Sequence, residues 1–236
     1  MDYLEINTPA GRMWSTLALP ALAQYARRQM ETFFPDGRPV AADTVEGAAA
    51  RATAVIARGW KRVALGGYTR NGDAALNHLY SDQYAAFLLI LAHELSKAGE
   101  QEIATRAYLL NKALHAFDMY HEVEPPEVFV LVHPVGTVVG RAKLGNFLCL
   151  YQNCSIGGSP RNGGLDYPVL GDGVLMYAKS TIIGASKIGN NVVFGAGGTV
   201  INGTVPDGGL VAGTSIKTGN ANVSFLLSRI FNGLAK

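Results

Sequence analysis

The chain has 236 residues, 48% of them apolar, and a formal net charge of +2. This length allows one large domain or two small ones, and the weak charge argues against the concentrated basic face of a nucleic-acid-binding protein. The start of the chain is acidic and polar, unlike a signal peptide, and the longest apolar run, 85–92, is too short to cross a bilayer. We therefore expect a cytoplasmic protein without a membrane or nucleic-acid partner.

The first half of the chain, 1–124, is predicted to be an α-helical domain. Apolar spacing predicts helices over 14–34, 43–61, 81–97 and 101–117. Asp43 and Glu46 have the spacing of a capping box at the start of the second helix. Residues 65–73 are interpreted as a glycine-containing loop. The two prolines in 122–126 end the helical pattern and predict a domain boundary.

A six-residue period dominates the second predicted domain, 125–236. Residues at every sixth position are large and apolar: Leu170, Met176, Ile182, Ile188, Phe194 and Val200. This period is neither helical nor alternating, so it predicts an internal repeat in which each hexad forms a short strand and a turn. Such coils are stable only when stacked, so we expect a β-solenoid over 128–216. An amphipathic helix over 223–231 is expected to cover its open end or lie along its side.

The repeat also extends upstream and is interrupted once. The same phase runs through Val132, Val138, Leu144, Leu150 and Ile156. The interval from Ile156 to Leu170 is longer than two hexads, and the intervening loop, 157–169, is rich in glycine and proline. A surface loop of this kind is either a tolerated insertion or the wall of a site. Its position on a regular scaffold favours the second interpretation.

Only one histidine lies within the repeat array. The five histidines are His78, His93, His115, His121 and His133. Gamma-class carbonic anhydrases, which this architecture resembles, need three histidines on the coils, because zinc takes three or four protein ligands. We therefore expect no metal. His133 is the best candidate for proton transfer, although on periodicity alone a surface histidine explains it equally well.

The spacings around His133 form a distinctive pattern. Asp118 precedes His133 by fifteen positions, and His93 precedes Asp118 by twenty-five. The loop carries two glycine pairs, Gly157–Gly158 and Gly163–Gly164, followed by Asp166, Tyr167 and Pro168. Over about 81–217 the chain thus resembles the serine acetyltransferases of the hexapeptide-repeat acyltransferases. The resemblance implies an α+β fold in which a left-handed parallel β-helix follows the helical domain.

The resemblance also implies an activity, the transfer of an acetyl group from acetyl-CoA to a hydroxyl. His133 would take the proton of the acceptor, Asp118 would hold the imidazole, and a backbone N–H of Gly157 or Gly158 would bind the oxyanion. The predicted CoA contacts are Ala178, Ala196 and Lys217. Without the resemblance, the alanines are equally well explained as small corner residues and the lysine as a solvated side chain.

Two departures from the family concern the acceptor. Val132 stands where the family has an aspartate, and Asp166 with Tyr167 replaces an arginine–histidine pair. Because those charged groups hold the ammonium and carboxylate of serine, Asp82 or Asp166 would have to supply the missing charges. The acceptor is therefore either serine or a serine-like hydroxyl compound, or a sugar or nucleotide sugar of surface-polysaccharide synthesis. A non-catalytic scaffold is a third interpretation, against which the spacing of Asp118 and His133 argues.

Two further departures concern the partners and the coil phase. The end of the chain, Gly233 to Lys236, lacks the terminal isoleucine with which the family docks on a sulfhydrylase, so the resemblance does not carry that partnership over. A one-residue deletion near Lys143 leaves the phase of the first two hexads open. We expect a homotrimer built on the solenoid, which the helical half could pair into a dimer of trimers.

Overall fold

The computed structural model describes residues 2–161, 163–220 and 222–234. The predicted α+β class is confirmed: a helical part is followed by a left-handed parallel β-helix of hexapeptide repeats and a short C-terminal helix. None of the helices in the described ranges is long and apolar enough to span a membrane.

The N-terminal part contains the four predicted helices and, in addition, a small sheet. Its elements are β1 (Leu4–Thr8), β2 (Gly11–Ser15), α1 (Leu19–Phe33), α2 (Ala42–Gly59), a 3-10 turn (Trp60–Arg62), β3 (Thr69–Arg70), β4 (Asp73–Leu76), α3 (Ser81–Lys97) and α4 (Gln101–His115). The four strands pair in the order β1-β2-β4-β3. The segment 1–124 is therefore not purely helical, and 65–73, predicted as a loop, contributes an edge strand.

Two helix starts differ from the prediction. Trp14 lies in β2, and α1 begins only at Leu19, next to a proline that has no backbone N–H to leave unpaired. Helix α2 is preceded by Ala41 without a side-chain cap, and Asp43 lies inside its first turn. The predicted capping box therefore does not form, and Asp43 instead stabilises the positive end of the helix dipole.

Helix α3 is the centre of the N-terminal part. It is buried continuously from Asp82 to Leu95, because it packs against α2, α4 and the first coil of the β-helix. A helix that is apolar on every side requires such a position. Its N-terminus therefore lies beside the β-helix and places Asp82 there.

The β-helix is a three-sided prism of short strands. They are β5 (Asp118–Met119), β6 (Phe129–Leu131), β7 (Val138–Val139), β8 (Leu148–Leu150), β9 (Ser155–Gly157), β10 (Ser159–Arg161), β11 (Gly164–Asp166), β12 (Val169–Leu170), β13 (Val174–Met176), β14 (Thr181–Ile183), β15 (Lys187–Ile188), β16 (Val192–Phe194), β17 (Thr199–Ile201), β18 (Thr204–Val205), β19 (Leu210–Ala212) and β20 (Ser215–Lys217). The first face stacks β6, β8, β13, β16 and β19, with β20 antiparallel at its end; the second stacks β5, β7, β9, β14 and β17; the third stacks β12, β15 and β18. Strand β5 joins the second face although it precedes the boundary predicted at 124.

The hexad phase is confirmed from Leu144 onward, since Lys143 pairs with Val169 and so sets Leu144 level with Leu170, and it differs before Leu144. Met176 pairs with Leu150 and Phe194, as the six-residue period predicts. In the first coil, however, Leu131 aligns with Leu150, and Val139 aligns with Ile156. The predicted axial residues Val132 and Val138 are therefore wrong by one position, and the Val138 side chain is exposed. The reason is a longer turn after β6, which shifts the register until the chain reaches the third face.

Two features outside the regular coils complete the architecture: the hairpin that interrupts the repeat and the C-terminal helix. Strands β10 and β11 pair antiparallel, so the loop 157–169 protrudes as a hairpin. Helix α5 (Asn222–Ser228) is shorter than predicted and packs along the side of the prism against β16. Beyond it, Ile230 accepts a hydrogen bond from Ala64 N at 2.8 Å, which ties the C-terminal segment to the N-terminal part.

Candidate active site

The first corner of the prism, between the first and second faces, differs from the corners stacked on it. Later coils turn this corner in four residues, as in 177–180, whereas the first coil uses six, 132–137. His133 lies in this longer turn with a φ of +48°, in the left-handed region that non-glycine residues rarely adopt. The insertion therefore displaces His133 from the regular coil path.

His133 lies between solvent and a buried carboxylate. Its side chain is 71% exposed, and its Nδ1 is 3.8 Å from Oδ2 of Asp82, whose side chain is 1% exposed. This separation is too long for a hydrogen bond but within the range of an ion pair. The other ring nitrogen, Nε2, is left available for a substrate.

Asp82 is an unusual buried group. Its Oδ2 is shielded from solvent and has no hydrogen-bond partner among the residues that the structure describes. Ser81 Oγ donates to the other oxygen, Oδ1, at 3.3 Å. A buried carboxylate oxygen without a partner is costly, so its presence calls for an explanation.

The groups around Asp82 are neutral near pH 7. Burial raises the pKa of Tyr80, and Asp82 raises it further through its charge and through hydrogen bonding with the Tyr80 hydroxyl. Burial and the Asp82 charge hold the pKa of Tyr68 well above its usual range. Burial raises the pKa of Cys149, with smaller contributions from Cys154 and Asp82. Burial lowers the pKa of His115, and the Asp82 charge only partly opposes this effect. His133 is thus the exposed base that faces the carboxylate.

Asp118, the predicted partner of His133, is occupied elsewhere. Tyr108 donates its hydroxyl to Oδ1 at 2.7 Å, and Lys112 donates to Oδ2 at 2.6 Å. Burial would raise the pKa of Asp118, but these two groups on α4 outweigh it and lower the pKa. No hydrogen bond or ion pair joins Asp118 to His133 in the described ranges, so the structure does not bring these two predicted residues together.

The predicted loop residues lie across the second face from His133. Gly157 ends β9, and the Tyr167 ring lies against Gly158, where a Cβ would come within 2.8 Å of the ring. Asp166 pairs with Arg161 of the same hairpin at 3.2 Å. In a single chain these residues are therefore at one end of the face and His133 is at the other.

The predicted CoA alanines share the edge of His133. In the later coils the second residue of the corner is Gln152, Ala178 or Ala196, and His133 is the second residue of the first corner. Gly197 N donates to Ala178 O at 2.9 Å, which links two successive coils at this edge. We call this line of four residues the His133 edge. Lys217 is exposed opposite Leu210, at the other end of the first face.

Two features of the site were missed by the sequence reasoning. Tyr108 and Lys112 hold Asp118, and their positions shortly before it on a predicted helix gave only a weak signal. Gln152, on the His133 edge, has a buried Oε1 without a partner among the described residues. Its place as the second residue of a corner follows from the hexad phase and could have been found.

Comparison with known proteins points to one family. No protein-family model matches the chain. The chain is 27% identical over 135 residues to the serine acetyltransferase of Staphylococcus xylosus, an alignment that covers 57% of this chain and 62% of the relative. It is 30% identical over 124 residues to the serine acetyltransferase of Mycobacterium tuberculosis, covering 52% and 54%. The chain thus spans about three fifths of the length of the curated relatives it matches.

The solved structures agree with the curated relatives. The crystal structure of Neisseria gonorrhoeae serine acetyltransferase in complex with serine has a TM-score of 0.67 at 22% identity, covering 84% of this chain and 82% of that one. The chain therefore has the fold of the serine acetyltransferases and is similar to them in sequence over somewhat more than half of its length.

Proposed function

We propose that this protein is an acetyl-CoA-dependent O-acetyltransferase that acts on serine or a serine-like hydroxyl compound. The observation that carries the proposal is the first corner, where an inserted turn presents His133 to solvent beside a buried carboxylate. Homology to serine acetyltransferases supports the same activity. A scaffold without catalysis gives no reason for a corner that is two residues longer than those stacked on it and that presents a histidine.

His133 acts as the general base in the proposed reaction. Its Nε2 takes the proton of the acceptor hydroxyl while that oxygen attacks the thioester carbonyl carbon. A backbone N–H of Gly157 or Gly158 stabilises the negative charge that develops on the carbonyl oxygen. The carbon–sulfur bond then breaks, the CoA sulfur takes the proton from the imidazolium, and the products are the O-acetyl ester and free CoA.

The residues along the His133 edge suit an extended pantetheine arm. Ala178 and Ala196 carry no atoms beyond a methyl group, so the arm approaches the backbone closely. Successive coils are about 4.8 Å apart, which sets Ala178 about 10 Å from the level of His133. Gln152 lies between them and offers a carbonyl oxygen to an amide N–H of the arm. Lys217 is proposed to meet the CoA phosphates.

The acceptor-binding residues favour a weakly charged hydroxyl compound as the second candidate. Asp166 is already paired with Arg161, and Val132 and Tyr167 bring no charge. A zwitterion would need Arg161 and Asp166 to exchange their ion pair for its carboxylate and ammonium, because the Asp82 side chain is buried. Sugar hydroxyls would need only hydrogen bonds. The sugar or nucleotide-sugar acceptor therefore stays the alternative.

A panel assay separates these acceptors. Release of CoA from acetyl-CoA is measured with serine, homoserine and nucleotide sugars at matched concentrations. The proposal predicts turnover with serine or homoserine that exceeds hydrolysis without an acceptor. Turnover with a nucleotide sugar alone would replace serine by the alternative, and no turnover with any acceptor would contradict the proposed function.

The proposed site is completed by a second copy of the chain. Because the hairpin and His133 lie at opposite ends of the second face, adjacent copies must bring one to the other. Apolar side chains are exposed on the prism faces: Val138, Val169 and Ile201. We infer a homotrimer that buries these residues, with the N-terminal parts able to join two trimers. Light scattering that gives a monomer at micromolar concentration would contradict this assembly.

A further inference from the structure

We propose that Asp82, on helix α3, is the positioning residue that holds the imidazole of His133 for proton transfer, the role that the resemblance assigns to Asp118. The inference deepens the proposed acetyl transfer and rests on it. In this arrangement Nδ1–H of His133 donates to Asp82 Oδ2, and Nε2 faces the acceptor hydroxyl.

The first argument is the unmet bonding capacity of Asp82. Its Oδ2 has no hydrogen-bond partner within the described ranges, and His133 Nδ1 lies 3.8 Å away. The His133 side chain is largely in solvent, so a small ring movement closes this gap without disturbing the core. Contacts of this kind often lengthen without substrate and tighten when it binds.

The second argument is that short hydrogen bonds tie both oxygens of Asp118 to α4 and none joins it to His133 within the described ranges. Both of its oxygens accept hydrogen bonds from α4, at 2.7 Å from Tyr108 and 2.6 Å from Lys112. If Asp118 bonded to His133 instead, the Lys112 ammonium would lose its partner. Asp118 therefore fixes α4 to strand β5 and has a structural role.

The third argument is that the helix carrying Asp82 is held firmly by its burial. Asp82 is in the first turn of a helix that is buried from Asp82 to Leu95, where the helix dipole favours a carboxylate. The titratable groups that face it are Tyr68, Tyr80, His115, Cys149 and His133. Of these, His133 is the one that is both exposed and able to become a cation in the reaction.

Kinetics of matched variants test the assignment. Asp82→Asn keeps the shape of the side chain and removes its charge, and we expect kcat to fall about 10²-fold with little change in the KM for acetyl-CoA. Asp118→Asn should reduce kcat by less than about tenfold and should lower the melting temperature, since it breaks the contact with Lys112.

A double variant tests whether Asp82 acts through His133. In His133→Ala the further change Asp82→Asn should cost almost nothing in kcat, because a positioning residue acts only through its partner. Independent, multiplying losses would overturn the assignment.

A measurement that needs no activity completes the test. Nitrogen NMR on protein with ¹⁵N-labelled histidine reports which ring nitrogen carries the proton, and the His133 signal is identified by its loss in His133→Ala. We expect the Nδ1–H form in the wild type and in Asp118→Asn, and its loss in Asp82→Asn. The spectra are recorded below the melting temperature of each variant, where it is folded. An Nε2–H form in the wild type, or loss of the Nδ1–H form in folded Asp118→Asn, would overturn the assignment.

The two failures can be told apart. If no acceptor is acetylated, the proposed function fails while the NMR measurement still tests the pairing. If the wild type is active and Asp82→Asn keeps full turnover, only the assignment of Asp82 fails.

Discussion

The first corner and the corners stacked on it are built from the same elements but differ by two residues. The regular corner 177–180 has a left-handed residue at its third position, Lys179, and a buried hydroxyl at its fourth, Ser180, which donates to Tyr177 O. The first corner ends in the same way, with Gly136 at a φ of +75° and the buried Thr137 hydroxyl. The extra residues therefore precede this ending, where His133 lies.

This difference shows how a repetitive scaffold acquires a site. The regular ending packs tightly against the next coil, where a Cβ on Gly136 would come within 2.3 Å of Asn153 Oδ1. The fold therefore constrains these last residues of the corner. The inserted residues are free to adopt a geometry that stability does not require. A local exception to an otherwise consistent pattern is where function is expected.

Removal of the insertion gives the largest expected effect. Deletion of Pro134 and Val135 leaves Gly136 and Thr137 at the third and fourth positions of a regular corner. We expect the chain to fold with a melting temperature close to that of the wild type and to lose at least about 10²-fold in acetyl transfer, because His133 no longer reaches its place. Full activity with the shortened corner would show that the insertion has no catalytic role.

The corrected coil phase predicts a clear difference in stability. Leu131 is 1% exposed on the prism axis, so Leu131→Ala should lower the free energy of unfolding by about 2–5 kcal/mol. Val132→Ala, at the position that the unbroken hexad phase would make axial, should cost less than about 1 kcal/mol. Urea unfolding of both variants measures the difference. Equal losses would mean that the first coil has the regular phase after all.

The smallest effect concerns the helical part, where His121 is buried and His115 is half-buried. Burial lowers the pKa of His115 and His121 below the ordinary value of about 6.5. The unfolded chain therefore binds protons that the folded chain does not. The free energy of unfolding should fall as the pH drops from about 7 to about 5, and urea unfolding at these two pH values measures it. Greater stability at the lower pH would contradict the burial of these rings.

The later coils could be predicted from sequence because their period is local. Each hexad from Leu150 onward contains its own axial residue, and the hairpin was indicated by the longer interval before Leu170. The first coil could not be phased, because the segment 128–139 is rich in valine and fits several registers. The N-terminal sheet was missed since β2 and β4 pair across a long stretch of chain that contains α1 and α2, and neither strand alternates clearly.

The site was predictable only in part for the same reason. His133 stood out as the one histidine within the repeat array. The approach of Asp82 to His133 joins residues from a helix and a coil that are far apart in the sequence, and no local pattern encodes it. The bonds of Asp118 to α4 are equally a result of tertiary packing.

The central claim is that His133, at the irregular corner, is the general base of an acetyl transfer. The most direct measurement is the turnover of acetyl-CoA with the best acceptor by the wild type, by His133→Ala and by His78→Ala, a histidine that contacts Thr16 in the N-terminal part. We expect His133→Ala to lose about 10²–10⁴-fold in kcat while it still binds CoA in calorimetry, and His78→Ala to stay within about twofold of the wild type. Near-full turnover by His133→Ala would contradict the account.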